Sequence, residues 1–224
     1  MWTPFDMVKG SGAAAFDANI FAPAANVWAS NNYNDRPGNS VYYSTPSFSG
    51  FSAAGIYSFG ENKTLANSAG KIAGVNVAYA GGPVAAAVSY QTEKANGSTV
   101  ATKFTQINGS YDLGVVKLLG ALGHVKDGTN PYGLAVSKST EYQIGLDVPV
   151  STAVTLSGGY ARSKDTQLAG GPDITRKGFG VAALYALSKR TNLYVGAQSS
   201  KQNAYATTAE NKISIYAVGV RHTF

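Results

Sequence analysis

The chain has 224 residues, of which 44% are hydrophobic and 13% are charged, and it carries a formal net charge of +6 without any cysteine. Soluble domains have about 25% charged residues, so the composition disfavours a fold whose whole surface meets water. The lack of Cys excludes disulfides, thiol nucleophiles and Cys-based zinc sites. The basic residues are scattered, with no run longer than Lys189-Arg190, which argues against nucleic-acid binding. A stretch of about 18 apolar residues is absent, so no transmembrane helix is predicted.

The N-terminal part of the chain lacks sustained alternation of polar and apolar residues. It contains Pro4, Pro23 and Pro37 and a run of small residues at 10–15. We interpret residues 4–37 as a long loop with a short helical turn near 13–20. A structureless loop of this length in a compact fold is expected to be functional or folded inward.

From residue 39 onward, segments with a period of two follow one another and predict strands. The predicted strands cover 39–46, 51–60, 71–80, 84–94, 102–113, 115–125, 138–148, 152–163, 175–187, 191–201 and 212–224. Short turns alternate with the long polar connections 61–70, 95–101, 126–137, 164–174 and 202–211. This asymmetry is typical of a transmembrane β-barrel, which has short turns at one end and long outer loops at the other. We therefore predict an all-β, antiparallel barrel wall with nearest-neighbour pairing.

The alternation also assigns faces. The apolar set predicted to point outward to lipid is Tyr142, Ile144, Leu146, Val154, Leu156, Phe179, Val181, Tyr185, Val218 and Val220. The polar residues predicted to line a lumen are Tyr42, Gln106, Asp112, Lys117, Glu141, Gln143, Asp147, Asn192 and Arg221, with Asp6, Lys9 and Asp17 on the N-terminal loop. Tyr and Phe recur near the strand ends, as an aromatic girdle requires.

Four segments carry a family resemblance: TPFD at 3–6, NSVYYSTPSFSGF at 39–51, YALSKRTNLY at 185–194 and GVRHTF at 219–224. Together they resemble the general trimeric porins of Gram-negative bacteria, particularly the β-proteobacterial branch. Members of that family often have Arg, Tyr and Asp where this chain has Tyr42, Tyr43 and Ser44, so the sequence departs from the family at Tyr42 and Ser44. The missing Arg weakens any assignment of ion selectivity.

The resemblance implies a 16-stranded barrel in the bacterial outer membrane, usually a homotrimer, through which small hydrophilic solutes and ions diffuse passively. Residues 1–38 would then be the infolded constriction loop with a remnant of the preceding strand, and residues 39–224 would be the last 11 strands. About five strands and a signal peptide would lie outside this sequence. No enzymatic activity, cofactor or metal is implied.

The directional count of strands leaves the first and the last predicted strand without one neighbour each. We expect these two edges to come close or to pair, because glycine-rich strands favour curvature. The alternatives to a channel are a non-channel β protein, which is either a soluble or surface-exposed binding module or a truncated barrel without a pore, and an outer-membrane enzyme on a smaller barrel. The enzyme would need His124 close to Ser139 or Glu141 across a hairpin.

Overall fold

A computed structural model describes residues 23–203 and 210–224. Eleven strands follow a short N-terminal segment: β1 (Ser40–Ser44), β2 (Phe51–Ser58), β3 (Lys71–Gly81), β4 (Val84–Lys94), β5 (Ala101–Asp112), β6 (Lys117–Thr129), β7 (Ala135–Pro149), β8 (Val154–Gln167), β9 (Ile174–Ala186), β10 (Thr191–Gln202) and β11 (Asn211–His222). They form one antiparallel sheet in the order of the sequence, from β1 to β11. The predicted all-β architecture and its nearest-neighbour pairing are confirmed.

Tight turns set the register at one end of the sheet. Between β1 and β2, Ser49 and Gly50 have φ angles of 49° and 85°, and Phe48 and Phe51 exchange backbone hydrogen bonds of 2.8 and 2.9 Å. Two successive residues with positive φ match the twist of a hairpin. Since adjacent side chains alternate between faces, each such turn determines which residues of both strands share a face.

The two faces of the sheet differ sharply in polarity. Ile144, Val181 and Val218, which were predicted to point outward, expose 61, 53 and 80% of their surface. Their sequence neighbours Gln143 and Ala182 are buried on the opposite face. The first face is apolar and exposed along most strands, and we call it the outer face; the second is the inner face. An exposed apolar face of this extent fits a hydrocarbon solvent rather than water.

The segment 23–38 lies against the inner face. It contains the helix α1 (Ala24–Val27) and a 3-10 turn (Ala29–Asn32). The side chain of Asn26 donates to Gln198 on β10 at 3.2 Å, whereas the backbone N–H of Asn34 donates to Glu93 on β4 at 2.6 Å. On a flat sheet these strands would be about 29 Å apart, since neighbours are spaced by ~4.8 Å. A partly helical segment between residues 26 and 34 is too short for that distance, so the sheet curves around it.

We expected the two sheet edges to come close or to pair, and pairing does not occur in the described part of the chain. Within the described strands β1 pairs only with β2, and β11 pairs only with β10. Closure requires a curvature matched to the number of strands, and the eleven described strands do not reach it. β1, with five residues, also offers a short edge to the twelve residues of β11. The described helices include none that is long and apolar enough to cross a membrane.

The outer face generates a stability prediction. Replacing Val181 with Arg is expected to lower the free energy of unfolding in phosphatidylcholine vesicles by about 2–4 kcal/mol if the site lies near the midplane, because a guanidinium in hydrocarbon loses its hydration. Urea titration followed by tryptophan fluorescence measures the change. Lys177→Arg, on the same face of the same strand but already cationic, is the control. An unchanged unfolding midpoint for the Val181 variant would contradict the outward assignment.

Candidate functional site

The inner face is lined by buried polar side chains, which a soluble β-sandwich core would not contain. The set comprises Asn76, Ser89, Gln91, Gln106, Asn108, Ser139, Glu141, Gln143, Ser157, Ser163, Asp165, Arg176, Gln198 and Ser200. Five of them on β7, β8 and β9 form a hydrogen-bonded cluster, which Glu141 and Arg176 join to the segment 23–38: Ser139, Glu141, Ser163, Asp165 and Arg176. A buried polar group is costly unless it is hydrogen-bonded, so this cluster determines where the segment can lie.

An ion pair between Arg176 on β9 and Asp165 on β8 forms the centre of the cluster. Both side chains are 0% exposed, and the Arg176 Nη2 donates to the second carboxylate oxygen of Asp165 at 2.9 Å and to Ser163 Oγ at 2.8 Å. The remaining Nε donates to the backbone carbonyl of Val27 at 2.7 Å. The guanidinium therefore joins two strands of the wall to the last residue of α1.

Glu141 on β7 holds the next turn of the segment. Its carboxylate accepts the backbone N–H groups of Ala29 and Ser30, the latter at 3.2 Å, and the Ser30 hydroxyl at 2.5 Å. Ser139 donates to Asp165 at 2.8 Å and has its hydroxyl 3.1 Å from Glu141, which connects the two carboxylates. Since a carboxylate accepts several N–H groups in the manner of a helix N-cap, Glu141 stabilises the start of the 3-10 turn.

Apolar contacts also hold the segment 23–38 on the inner face. Val27 and Trp28 pack with Ala121 and Ala161, and Tyr33 packs edge to face on Phe104 with ring centroids 6.4 Å apart. A close approach at β9 depends on a glycine. A Cβ added at Gly178 would lie 3.1 Å from Val27 Cγ2 and 2.9 Å from Ser200 Cβ, so a larger residue would push α1 off the wall.

The predicted lumen residues that the structure describes all have inner-face register. The set is Tyr42, Gln106, Asp112, Lys117, Glu141, Gln143, Asp147, Asn192 and Arg221. Only Glu141 belongs to the cluster. Lys117 lies directly across from Asp112 on one side and from Asp147 on the other, near the short turns. Arg221 lies opposite Asn192 at the same end of the sheet. Asp6, Lys9 and Asp17, and the helical turn expected near 13–20, lie outside the described residues.

Sequence reasoning missed Arg176 and Asp165. The alternation that placed Phe179 and Val181 outward also implies an inward Arg176, so that signal was present. Asp165 had no such signal, because the predicted strand ended at 163 and the following residues were interpreted as loop. The strand continues to Gln167, because residues beyond 163 still pair with β7 and β9, and the buried ion pair lies in this extension.

One loop group next to the cluster has a shifted pKa. The Tyr132 hydroxyl lies in the connection between β6 and β7 and lacks a hydrogen-bond partner among the described residues. Burial raises the pKa of Tyr132 above its usual value, and the nearby Arg176 charge opposes this shift. The phenol is therefore neutral at any physiological pH.

The structure does not bring together the residues that the enzyme alternative requires. His124 lies on the outer face, opposite Thr105 and Thr140, whereas Ser139 and Glu141 are buried on the inner face. No group of His, Cys, Asp or Glu within residues 23–203 and 210–224 has the arrangement of a metal site.

Comparisons with known proteins agree with this architecture. A family profile described as Gram-negative porin matches residues 1–205. An outer membrane porin protein of Bordetella pertussis is 31% identical over 84% of this chain and 58% of its own length. Outer membrane porin protein 32 of Delftia acidovorans is 30% identical over 98% of this chain and 61% of its own length. The chain thus spans about three fifths of the length of these curated relatives.

Solved structures match over the whole described sheet. An anion-selective porin from Comamonas acidovorans is 26% identical, with a TM-score of 0.77 over 100% of this chain and 72% of that chain. Salmonella typhi OmpF, at 16% identity, has a TM-score of 0.73 over 98% of this chain and 72% of that chain. At this lower identity the likeness shows the fold alone.

The Glu141 contacts generate a prediction about Trp28, which is 3% exposed. Replacing Glu141 with Ala leaves three buried donors of the segment without an acceptor, at a cost of about 1–3 kcal/mol for each. The segment should therefore detach in a larger fraction of molecules, and acrylamide should quench Trp28 fluorescence more strongly in a Trp2→Phe background. Asp147→Ala, which changes another inner-face carboxylate of β7, should leave the quenching unchanged. Equal quenching of the two variants would refute the role of Glu141.

A second prediction compares a buried and an exposed ion pair on β8. Asp165→Asn leaves the Arg176 charge without its counterion and should lower the free energy of unfolding by about 3–5 kcal/mol. Lys164 and Asp173 form an exposed pair with the Lys Nζ 2.8 Å from the carboxylate, and Lys164→Gln should cost at most ~1 kcal/mol. Urea unfolding in detergent micelles measures both, and similar costs for the two variants would contradict the structural account.

Proposed function

We propose, since this chain belongs to the family of Gram-negative porins, that it forms the wall of a water-filled channel through which small hydrophilic solutes and ions diffuse passively. Its location is the bacterial outer membrane, as for the relatives named above. Porins are channels rather than enzymes, in agreement with the expectation of no catalytic activity. The proposed partners are the lipid bilayer and the permeating solutes.

The position of the segment 23–38 carries this proposal. An inner face lined by amides, hydroxyls and charges supports a water-filled space, and the segment narrows that space because it is folded onto β6 to β10. We propose residues 1–38 as the constriction-type loop and residues 39–224 as the strands of the wall. Passage is then governed by the gap between the segment and the remaining wall, and by the charges beside it.

The proposed lumen lining consists of the inner-face residues Tyr42, Gln106, Asp112, Lys117, Glu141, Asp147 and Arg221, with Asp6, Lys9 and Asp17 on the loop. Within the described part of the inner face, the carboxylates of Glu93, Asp112, Glu141, Asp147 and Asp165 outnumber the cations of Lys117, Arg176 and Arg221. The Comamonas porin is anion-selective, but this charge count does not favour extending that property to the present chain.

The proposed channel also requires closure of the barrel wall and involves assembly into an oligomer. A channel needs a continuous wall, because unpaired strand edges in hydrocarbon cost several kcal/mol for each unsatisfied group. We propose that strands other than the eleven described join the edge of β11 to that of β1. A homotrimer is also proposed, on the basis of the family resemblance; Vibrio cholerae OmpT, which shares the fold, has a trimer form.

Planar-bilayer recordings test the channel. Purified protein that includes the wall-closing strands should give stepwise conductance, and Lys117→Glu should shift the reversal potential in a salt gradient toward greater cation preference, because an inner-face cation becomes an anion. Lys189→Glu is the matched control, since Lys189 is exposed in the short turn between β9 and β10. Folded protein without conductance favours the alternative of a non-channel β protein. An equal shift for both variants would mean that Lys117 does not line the lumen.

A further inference from the structure

Cationic side chains stand directly opposite one another on the outer face of four adjacent strands. Arg162 on β8 pairs in register with Lys177 on β9, Lys177 pairs with Lys201 on β10, and Lys201 pairs with Lys212 on β11. We call these four residues the basic ladder. Their outer-face direction follows from their neighbours, because Ser163, Arg176 and Gln202 are buried on the inner face.

The ladder is unusual because like charges that face each other across strands are destabilising. The side chains of directly paired residues have Cβ atoms only about 5 Å apart. Within the described residues, only Lys201 of the four has a carboxylate partner, with its Nζ 3.1 Å from Glu210. Among the described residues the ladder therefore retains a net positive charge, which an external anion can balance.

The position of the ladder identifies the compartment of that anion. All four residues lie within about six residues of the long-loop ends of their strands, and long loops of membrane barrels face the outside. Tyr160 pairs with Phe179 on the outer face, two positions along the strands from the Arg162–Lys177 pair toward the middle of the sheet. Aromatic residues mark the membrane interface, so the ladder stands at the height of the outer-leaflet headgroups.

An apolar depression lies on the same four strands, beyond the aromatic pair. Ala183 and Ala197 form its floor, because they lie in register between the larger Leu156, Val181, Val195 and Tyr216. Val181 follows Lys177 by four residues, which corresponds to about 13 Å along a strand. A phosphate on the ladder and an acyl chain in the depression are therefore compatible with one lipid molecule.

We infer that the basic ladder and the depression below it form a binding site for an outer-leaflet lipid whose headgroup carries phosphate. Phosphate oxygens accept hydrogen bonds from Lys and Arg at several points, and the depression accommodates a chain where a flat wall would not. The site is on the outer face, so it is independent of the lumen and of the proposed diffusion. If the lipid does not bind, the channel conductance is unaffected. If the protein does not conduct, lipid binding is unaffected.

Spin-labelled lipids test the site in protein reconstituted into phosphatidylcholine vesicles. Electron spin resonance should show preferential association of spin-labelled phosphatidic acid over spin-labelled phosphatidylcholine. The variant Lys177→Gln should reduce this preference about fivefold, because a Lys near an anionic lipid surface contributes about that factor. The triple variant at Lys177, Lys201 and Lys212 should abolish it, whereas Lys→Arg at the same three positions should retain it.

Controls separate this site from general charge and from misfolding. The double variant Lys189→Gln, Arg190→Gln, at the opposite end of the sheet, should keep the preference. In zwitterionic micelles Lys177→Gln should be at least as stable as the unmodified protein, because one like-charge contact is removed. Inorganic phosphate at the same concentration as the lipid should not displace the lipid. Displacement by free phosphate, or an equal loss in the control variant, would overturn the inference.

Discussion

A buried guanidinium has to find partners for its charge and for its N–H groups, and the position of Arg176 makes this requirement the organising constraint of the structure. Asp165 and Ser163 on β8 satisfy one side of the guanidinium, and the carbonyl of Val27 satisfies its Nε. Removing the segment 23–38 would leave a buried donor unpaired, and removing Asp165 would leave a buried charge. The wall and the segment therefore stabilise each other.

The alternation of the strands allows this cluster to exist, because the sheet meets two different solvents. Apolar side chains such as Ile144 and Val218 stand on the outer face, and amides, hydroxyls and charges stand on the inner one. A soluble sandwich would bury its apolar face and expose its polar face. Here the polar face is concave and holds the segment. The average composition hides this difference between the two faces, but the apolar outer face suits a membrane and the polar inner face lines the interior.

Much of this architecture could be predicted from the sequence, because period-2 patterning and turn residues are local signals. The bounds of β4 agree with the prediction, and the inner face of Glu141 and Asp147 is as expected. Contacts between distant residues could not be predicted: Glu141 meets Ala29 and Ser30 only because the sheet curves. The expected pairing of the two sheet edges is likewise non-local, since closure depends on the number, tilt and stagger of all strands together.

Amide hydrogen exchange at Ala29 and Ser30 tests most directly whether the segment is held on the wall. Both N–H groups donate to the buried Glu141 carboxylate, so we expect protection comparable to that of the neighbouring strand amides of β7. Exchange measured by mass spectrometry or NMR in micelles distinguishes a segment attached to the wall from a detached one. Exchange at Ala29 and Ser30 as fast as in the exposed connection 61–68 would contradict the account, because the segment would then not be attached to the wall.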